Sequence, residues 1–396
     1  MDLGLVDHLR TEQGCRTLAC AEALAGSDPL RATQALRDAG IDAAIASAAL
    51  TQATLRRRAA AKFGPDASRM LFTRTGLEQA TRAVVADRRA ARLASAGVAS
   101  VADLGCGVGA DTLAFARAGL RVCAVEADPV TAAIAAANVE ELGHGGSVTV
   151  TCGDAAAADL SCVDAVFCDP ARRDPARGRR VFDPGAFAPP WSFVSALPAR
   201  VPATVLKLAP GIDHALIPDG AEAEWVSVAG DVVEAALWHG PLAVAARRAT
   251  LIGTDGTAHE LTGPGTVTAP VAPPRRYLYD PDGAVVRSHL VAEFASTVDG
   301  KVADPRIAYV FADTPTPTPF ATVLEVLAEL PYGRKALRAA LRAHDIGTLE
   351  IRKRGVAVDP DELRRDLRLD GRTPAALVLT RLGTRPVAFL CQAVRA

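Results

Sequence analysis

Residues 98–128 read VASVADLGCGVGADTLAFARAGLRVCAVEAD and carry the strongest pattern in the chain. A short apolar run ends in a glycine-rich segment, an Ala-rich helical stretch follows, and a second apolar run ends in Glu126. This order is typical of parallel strands joined by right-handed crossovers. Gly105, Gly107 and Gly109 let the backbone turn tightly and approach a ligand with no Cβ in the way. The stretch therefore predicts the start of a doubly wound α/β domain with a ligand site after its first strand.

The same alternation continues downstream and predicts that this Rossmann-like domain spans residues 96–265. One helix and three strands are expected from PVTAAIAAANVEELG (129–143), SVTVTCGD (147–154), VDAVFCDP (163–170) and TVLKLAP (204–210). The later runs EWVSVAGDVVEAALWHG (224–240) and RRATLIGT (247–254) are expected to supply an antiparallel edge pair.

Helical and α+β patterns flank this domain. Residues 1–95 have helical spacing, with one helix predicted over 43–63 and another over 76–94. The Pro- and Gly-rich stretch 263–276 is typical of a linker. Residues 270–396 are expected to form a separate small α+β domain, with a helix, a strand, a second helix and a hairpin over its second half.

Composition limits the classes of function. The net charge of −1 lacks the overall basic excess of many nucleic-acid-binding proteins, so a basic surface has to be local. The eight cysteines form no C-x-x-C pair, and we expect reduced thiols that mostly fill the core, with no metal site. The N-terminus shows no apolar signal segment and no run approaches a membrane span, so we expect a cytoplasmic protein without membrane partners. The sequence leaves the oligomeric state open.

Acidic residues at strand ends separate the candidate cofactors. The glycine pattern also satisfies the dinucleotide fingerprint G-x-G-x-x-A, so a nicotinamide or flavin ligand stays open on this motif alone. Asp103 precedes Gly105 by two residues, where a carboxylate suits an amino group better than a pyrophosphate. Glu126 ends the second strand and can accept from ribose hydroxyls, and Asp154 ends the third, where it can bind an adenine amine. Together they favour a nucleoside that carries a methionine moiety, against a dinucleotide-binding or empty domain.

On these residues the chain resembles the class I S-adenosylmethionine-dependent methyltransferases. DLGCGVG (103–109) matches their first motif, Glu126 their second-strand acid and Asp154 their adenine contact. The resemblance implies S-adenosyl-L-methionine as cofactor, held by Asp103, Glu126, Asp154 and the three loop glycines.

A further resemblance covers the flanks. LFTRTGLEQATRAVVADRRA (71–90) and the segment from residue 275 to the end resemble bacterial methyltransferases with a THUMP-like C-terminal domain. The fold then expected is a class I methyltransferase core with a helical N-terminal region and a THUMP-like α+β domain. Because THUMP domains are RNA-binding modules, the resemblance implies an RNA partner, either rRNA or tRNA.

The segment VFCDPARRD (166–174) stands where amino-methylating families carry D/N-P-P-Y/F/W. Asp169 and Pro170 match that motif, which implies that Asp169 accepts from an exocyclic amine and aims it at the methyl. Ala171 replaces the second proline and Arg172 the aromatic. Trp191, Phe182, Phe187 and Phe193 are candidates for the stacking surface, with ordinary packing as the alternative.

Two arginine clusters have two interpretations each. Arg172 and Arg173, with three further arginines up to residue 180, either hold substrate phosphates or form a solvated loop. Five residues of the C-terminal domain form either a phosphate-binding face or an ordinary charged surface: Arg352, Lys353, Arg354, Arg364 and Arg365.

The function we expect is methylation of an RNA base, with an exocyclic amine as the candidate methyl acceptor. The alternatives are a small-molecule methyltransferase and an RNA-binding protein with an inactive methyltransferase core.

Overall fold

A computed structural model describes residues 1–24, 26–172 and 187–394, without the side chains of residues 171 and 172. The chain divides into two compact units. The first comprises Met1–Ala221 and Ala236–Val244, and the second Glu222–Ala235 and Ala245–Ala396. The division into domains at residues 95 and 265–270 stays a prediction.

The first unit begins with helices: α1 (Leu3–Leu9), α2 (Glu12–Ala23), α3 (Pro29–Asp38), α4 (Ala43–Phe63), α5 (Arg74–Gln79) and α6 (Ala83–Ser95). Side chains that accept from first-turn amides cap the first four of them: Asp2, Thr11, Asp28 and Asp42. Such a cap satisfies amides that have no partner inside the helix. The helix predicted over 43–63 is confirmed at both ends.

The single helix predicted over 76–94 is wrong, because α5 ends at Gln79 and α6 starts at Ala83. Between them Ala80 and Arg82 have extended backbone, with ψ of 137° at each. The Nζ atom of Lys62 donates to three carbonyl oxygens at the end of α5, each at 2.8 Å: those of Leu77, Glu78 and Ala80. Contacts with the Lys62 side chain of α4 thus stabilise the end of α5 where local propensity would continue the helix.

The parallel sheet follows, and its elements alternate as predicted: β1 (Ser100–Leu104), α7 (Ala110–Arg117), β2 (Arg121–Glu126), α8 (Pro129–Glu141), β3 (Val148–Cys152), β4 (Ala165–Cys168), β5 (Ala171–Arg172), β6 (Phe187–Ala188), α9 (Trp191–Val194), α10 (Leu197–Arg200) and β7 (Thr204–Leu208). The strand order is β7-β4-β1-β2-β3 with parallel pairing, and β5 and β6 form a separate antiparallel ribbon. All five residues of β1 are buried, as expected for a central parallel strand. The chain leaves β1 towards β2 on one side and reaches β4 on the other. This switch point is where such sheets bind ligands.

The second unit starts with β8 (Glu222–Val228), β9 (Asp231–Trp238, divided between the two units), β10 (Arg247–Ile252) and β11 (Ala258–Gly263). The antiparallel edge pair is wrong for β8 and β10, which pair in parallel, while β10 and β11 are antiparallel. The chain turns back after β8 through Ala229 and Gly230, both with positive φ, so β10 can start at the same end as β8.

The rest of this unit is α+β, as expected: β12 (Tyr277–Pro281), α11 (Gly283–Arg287), α12 (Val291–Thr297), β13 (Lys301–Val302), β14 (Val310–Ala312), β15 (Ala321–Leu330), α13 (Arg334–Ala343), β16 (Ile346–Lys353), α14 (Pro360–Leu367), β17 (Thr373–Leu382) and β18 (Arg385–Ala393). The sheet order is β13-β14-β12-β15-β18-β17-β16, in which β16 and β17 are parallel and the other neighbouring strands antiparallel. The amphipathic helices α13 and α14 bury leucines in a core shared with β16, β17 and β18.

The cysteines are free thiols, but the expectation that most fill the core is wrong. Cys106, Cys168 and Cys391 are buried, whereas the other five are exposed. Within residues 1–24, 26–172 and 187–394, no three His, Cys, Asp or Glu side chains gather as a metal site. None of the described helices is both long and apolar enough to cross a membrane.

Candidate active site

The glycine loop lies between β1 and α7 at the switch point. Gly105, Gly107 and Gly109 have φ of 89°, 56° and 90°, a backbone region that side chains rarely adopt. The Gly105 amide donates to the Val125 carbonyl at 2.9 Å, which ties the loop to β2. A Cβ at Gly105 would lie 3.0 Å from the Asp169 carbonyl oxygen. Gly105 is therefore needed for its conformation and for the close approach of the chain that leaves β4.

Glu126 ends β2 and holds this loop. Its Oε2 accepts from the Gly107 amide at 3.0 Å, and its Oε1 accepts from the Asp128 amide at 2.9 Å. Each carboxylate oxygen has two acceptor positions, so both oxygens keep capacity for a ligand hydroxyl. The half-buried carboxylate thus holds the loop in place and could also accept hydrogen bonds from ribose hydroxyls.

Asp103 is the buried acid of the site, with no exposed side-chain area. Its Oδ2 accepts from the Thr112 hydroxyl at 2.5 Å, whereas its buried Oδ1 has no hydrogen-bond partner among the described residues. Burial, and then the charge of Asp111, raise the pKa of Asp103 to about 8. A buried acceptor without a donor is costly. An ammonium group fits here, because it would donate to Oδ1 and stabilise the ionised carboxylate.

Asp154 lies at the same edge of the sheet, beyond the end of β3. The Gly153 amide donates to the Glu126 carbonyl at 2.9 Å, which fixes the end of β3 beside β2. Asp154 Oδ1 accepts from the Ala156 amide at 2.9 Å, and the residue is exposed. The three predicted cofactor acids therefore lie at or just beyond the carboxyl ends of three neighbouring strands, and the residues present fit a nucleoside ligand with an ammonium group.

Asp169 and Pro170 follow β4 on the other side of the loop. The Asp169 amide donates to the Leu104 carbonyl at 3.3 Å, and Pro170 is buried. The Asp169 carboxylate forms an ion pair with Lys207 of β7. The side chain of Asp169 is 34% exposed, so a ligand could still reach it. The structure thus brings the predicted acceptor residue beside the glycine loop.

The residues after Pro170 are only partly described. The backbone of Ala171 and Arg172 pairs with Ala188 and Phe187 in the β5–β6 ribbon. The Arg172 side chain lies outside the described part, as do Arg173, the arginines up to residue 180 and Phe182. Trp191 is half-buried, with its ring centroid 5.9 Å from that of the buried Phe187. Trp191 therefore packs beside the ribbon that leaves Pro170.

Three contacts near the site were not predicted. Asp111, at the start of α7, forms a buried ion pair with Arg89 and accepts from the Thr81 hydroxyl at 2.6 Å. The Arg89 guanidinium also lies 4.6 Å from the centre of the Phe167 ring. Lys207 was missed as well, although a single lysine inside the apolar run TVLKL is a visible signal. Charged residues in buried strands need partners, so such a lysine predicts a nearby acid.

Three arginines of the basic face proposed on the C-terminal domain already pair with carboxylates. Arg352 and Arg354 donate to the Asp280 carboxylate at 2.8 and 2.7 Å. Lys353 donates to the Val358 carbonyl, and Arg364 pairs with Asp361 at 2.7 Å. For Arg352 and Arg354 these contacts favour a structural role over a phosphate-binding one.

Comparison with known proteins places the chain in a family. Residues 101–177 match the methyltransferase domain, residues 321–393 the THUMP domain-like family, and residues 2–59 a domain of unknown function. Two uncharacterized S-adenosylmethionine-dependent methyltransferases of Mycobacterium tuberculosis, from strains CDC 1551 and H37Rv, are each 36% identical over 365 residues, covering 86% of this chain and 95% of the relative.

A solved structure supports the same fold. The crystal structure of a putative methyltransferase from Porphyromonas gingivalis W83 matches with a TM-score of 0.74 at 20% identity, covering 96% of this chain and 99% of that one. The parallel sheet, the glycine loop and the Mycobacterium relatives agree. The chain belongs to the S-adenosylmethionine-dependent methyltransferases and has a THUMP-like domain at its C-terminus.

Proposed function

We propose that this enzyme methylates an RNA base, with an exocyclic amine as the acceptor. The observation that carries the RNA assignment is the THUMP domain-like segment, residues 321–393. This segment has thirteen Lys and Arg against nine Asp and Glu, in a chain of net charge −1. Positive charge concentrated in one domain suits binding to a phosphate backbone.

Exposed cations on and after α13 and α14 are the candidates for phosphate contact: Lys335, Arg342, Arg365, Arg368 and Arg372. Arg342 donates to the Arg368 carbonyl at 2.9 Å, so the C-terminal ends of the two helices lie side by side. This proposal replaces the Arg352–Arg354 face, whose guanidinium groups already bind Asp280.

The residues proposed to hold S-adenosylmethionine are those of the switch point. Asp103 would accept from its amino group, Glu126 from the ribose hydroxyls and Asp154 from the adenine amine, with the three glycines keeping the loop open. When bound, the cofactor supplies an electrophilic methyl group. Everything else the protein contributes is placement, and proximity with orientation can lower a barrier by roughly 7–11 kcal/mol.

Asp169 is the proposed acceptor contact. Its carboxylate would accept one N–H of the base amine, which orients the nitrogen lone pair, and Pro170 stiffens the turn behind it. The nitrogen would gain the methyl as the methyl–sulfur bond of the cofactor breaks, with the bonding pair left on sulfur, and it would lose one proton, which the carboxylate can pass to water. Trp191 is proposed as a stacking surface for the base, and Arg172 and Arg173 as contacts to its phosphates.

Label transfer tests the proposal. The enzyme and methyl-labelled cofactor are incubated with RNA from a strain that lacks the enzyme, and labelled nucleosides are mapped by mass spectrometry. RNA from the parent strain, already methylated, is the matched control and should take up much less label. Labelled small molecules with unlabelled RNA would favour the small-molecule alternative. Cofactor binding without turnover on any RNA would favour the RNA-binding alternative.

A further inference from the structure

Lys207 is a charged residue inside a buried strand. It lies on β7, whose other four residues are buried, and 13% of its side chain is exposed. An ammonium group this far from water needs a partner with opposite charge. The carboxylate of Asp169 provides it.

Strand register creates this pair. Cys168 of β4 lies opposite Leu206 of β7, so the next positions along the two parallel strands are Asp169 and Lys207. Both residues lie at the carboxyl edge of the sheet, where the Asp169 carbonyl oxygen closely approaches Gly105. The pair therefore lies beside the glycine loop, at the place proposed for the acceptor.

A second lysine adds positive charge near this pair. Burial, and then the charge of Lys207, lower the pKa of Lys62 to about 8. The three N–H groups of Lys62 match its three carbonyl bonds at the end of α5. Lys62 thus donates to backbone carbonyls, whereas Lys207 pairs with the Asp169 carboxylate.

We propose that Lys207 is a positioning residue, which holds Asp169 Oδ2 and leaves Oδ1 to accept a hydrogen bond from the substrate. The substrate nitrogen that receives the methyl would arrive uncharged. Oδ1 of Asp169 accepts no hydrogen bond within the described residues. Lys207 already neutralises this carboxylate, so the remaining oxygen suits an uncharged N–H donor, and a base amine is neutral near pH 7. The inference rests on the proposed function, since it assigns Lys207 a role through Asp169.

A double-mutant cycle tests this role. Lys207→Met, Asp169→Ala and the double variant are compared with the parent in single-turnover methylation of the RNA found by label transfer. We expect Lys207→Met to slow the step at least tenfold with unchanged cofactor affinity, and Lys207→Arg to recover part of the rate. The double variant should be no slower than Asp169→Ala alone. Lys301→Met, which removes an exposed lysine, should match the parent.

The outcomes separate two failures. A slow Asp169→Ala with a normal Lys207→Met would overturn the role of Lys207 alone, as would losses that multiply in the double variant. A normal Asp169→Ala would overturn the proposed acceptor site and this inference with it. Melting curves distinguish poor folding from slow chemistry, and Lys207→Arg keeps the charge if the Met variant does not fold. A polyamine such as spermidine should accept no label from the parent enzyme, and efficient labelling would contradict the preference for an uncharged acceptor.

Discussion

The Gly107 amide and the Glu126 carboxylate are joined by a hydrogen bond of 3.0 Å. The acid proposed to bind the ribose therefore also fixes the loop that approaches the cofactor. Ligand binding and loop shape depend on one side chain, whose removal should affect both.

We predict that Glu126→Ala weakens S-adenosylmethionine binding by about 1.5–3 kcal/mol, the scale for hydrogen bonds to a charged group. Calorimetry with S-adenosylmethionine, S-adenosylhomocysteine and NAD measures it, and NAD should not bind. Glu126→Gln keeps one acceptor oxygen and should lose less. An Ala variant with the parent's affinity would remove Glu126 from the site.

Asp103 predicts a pH dependence. In the unfolded chain this carboxyl has its ordinary pKa of 3.8, whereas burial in the folded protein raises the pKa to about 8. The folded state thus binds the extra proton between these values, so stability without cofactor should fall as pH rises from about 4 to 8. Asp103→Asn should remove this part of the slope in melting experiments across that range.

The same group predicts proton release on binding. If the cofactor ammonium meets Oδ1, it favours the ionised carboxylate, so binding at pH 7 should release a proton. Calorimetry in buffers of different ionisation enthalpy counts it, and Asp103→Asn should release less. Identical proton release in both proteins would show that the ammonium binds elsewhere.

The buried Arg89–Asp111 pair should contribute more to the free energy of unfolding than the exposed ion pairs do. Side-chain exposure is 2% for Arg89 and 8% for Asp111. Removing one partner of such a buried pair costs about 3–5 kcal/mol, since it leaves the other charge without compensation. Arg89→Met should lower the urea midpoint accordingly. Arg16→Ala, which breaks the exposed pair with Glu12, is the control and should change little. Equal effects of the two variants would contradict this account.

Local sequence predicted the elements better than their contacts. The helix at 43–63 was predicted from the helical spacing of its Ala, Ile and Leu residues, a local pattern, and the structure gives it the same bounds. The break between α5 and α6 was missed because it depends on Lys62 bonds from another helix. Asp169 and Lys207 are 38 positions apart, and their pairing depends on the register between β4 and β7. A lysine in an apolar strand predicts an acidic partner, but no local pattern says which acid it is.

The candidate site shows the same limit. Glycine spacing and strand-end acids identified which residues reach the switch point, since both follow from chain order in a parallel sheet. The arginines 352 and 354 were not separable from a phosphate-binding face by sequence, because their partner Asp280 lies more than seventy residues away.

RNA binding should distinguish two sets of basic residues in the C-terminal domain. Replacing Lys335, Arg365 and Arg368 with Gln in the full chain should weaken RNA binding and leave cofactor affinity unchanged. The slope of log K against log salt should fall by about 0.7 for each phosphate of a single strand that the variant no longer neutralises. Arg354→Gln should instead lower the melting temperature with an unchanged salt slope, because it breaks hydrogen bonds to Asp280 and Pro281. Equal salt slopes in all variants would place the RNA surface elsewhere.

Asp169 is central to the proposed chemistry. Asp169→Ala should keep its fold and cofactor affinity and lose about a hundredfold or more in rate, the scale for one preorganised polar contact in a transition state. Asp169→Asn should retain more activity, because its amide oxygen still accepts a hydrogen bond. The variant also removes the carboxylate that pairs with the mostly buried Lys207, so it should melt at a lower temperature whether or not Asp169 acts in the reaction, and only the rate separates the two roles.

The single-turnover rate of Asp169→Ala, measured beside a melting curve of the same preparation, tests the central claim most directly. The account predicts a folded protein that binds the cofactor normally and transfers the methyl at least a hundredfold more slowly. A destabilised variant with an unchanged single-turnover rate would contradict it and place the chemistry elsewhere.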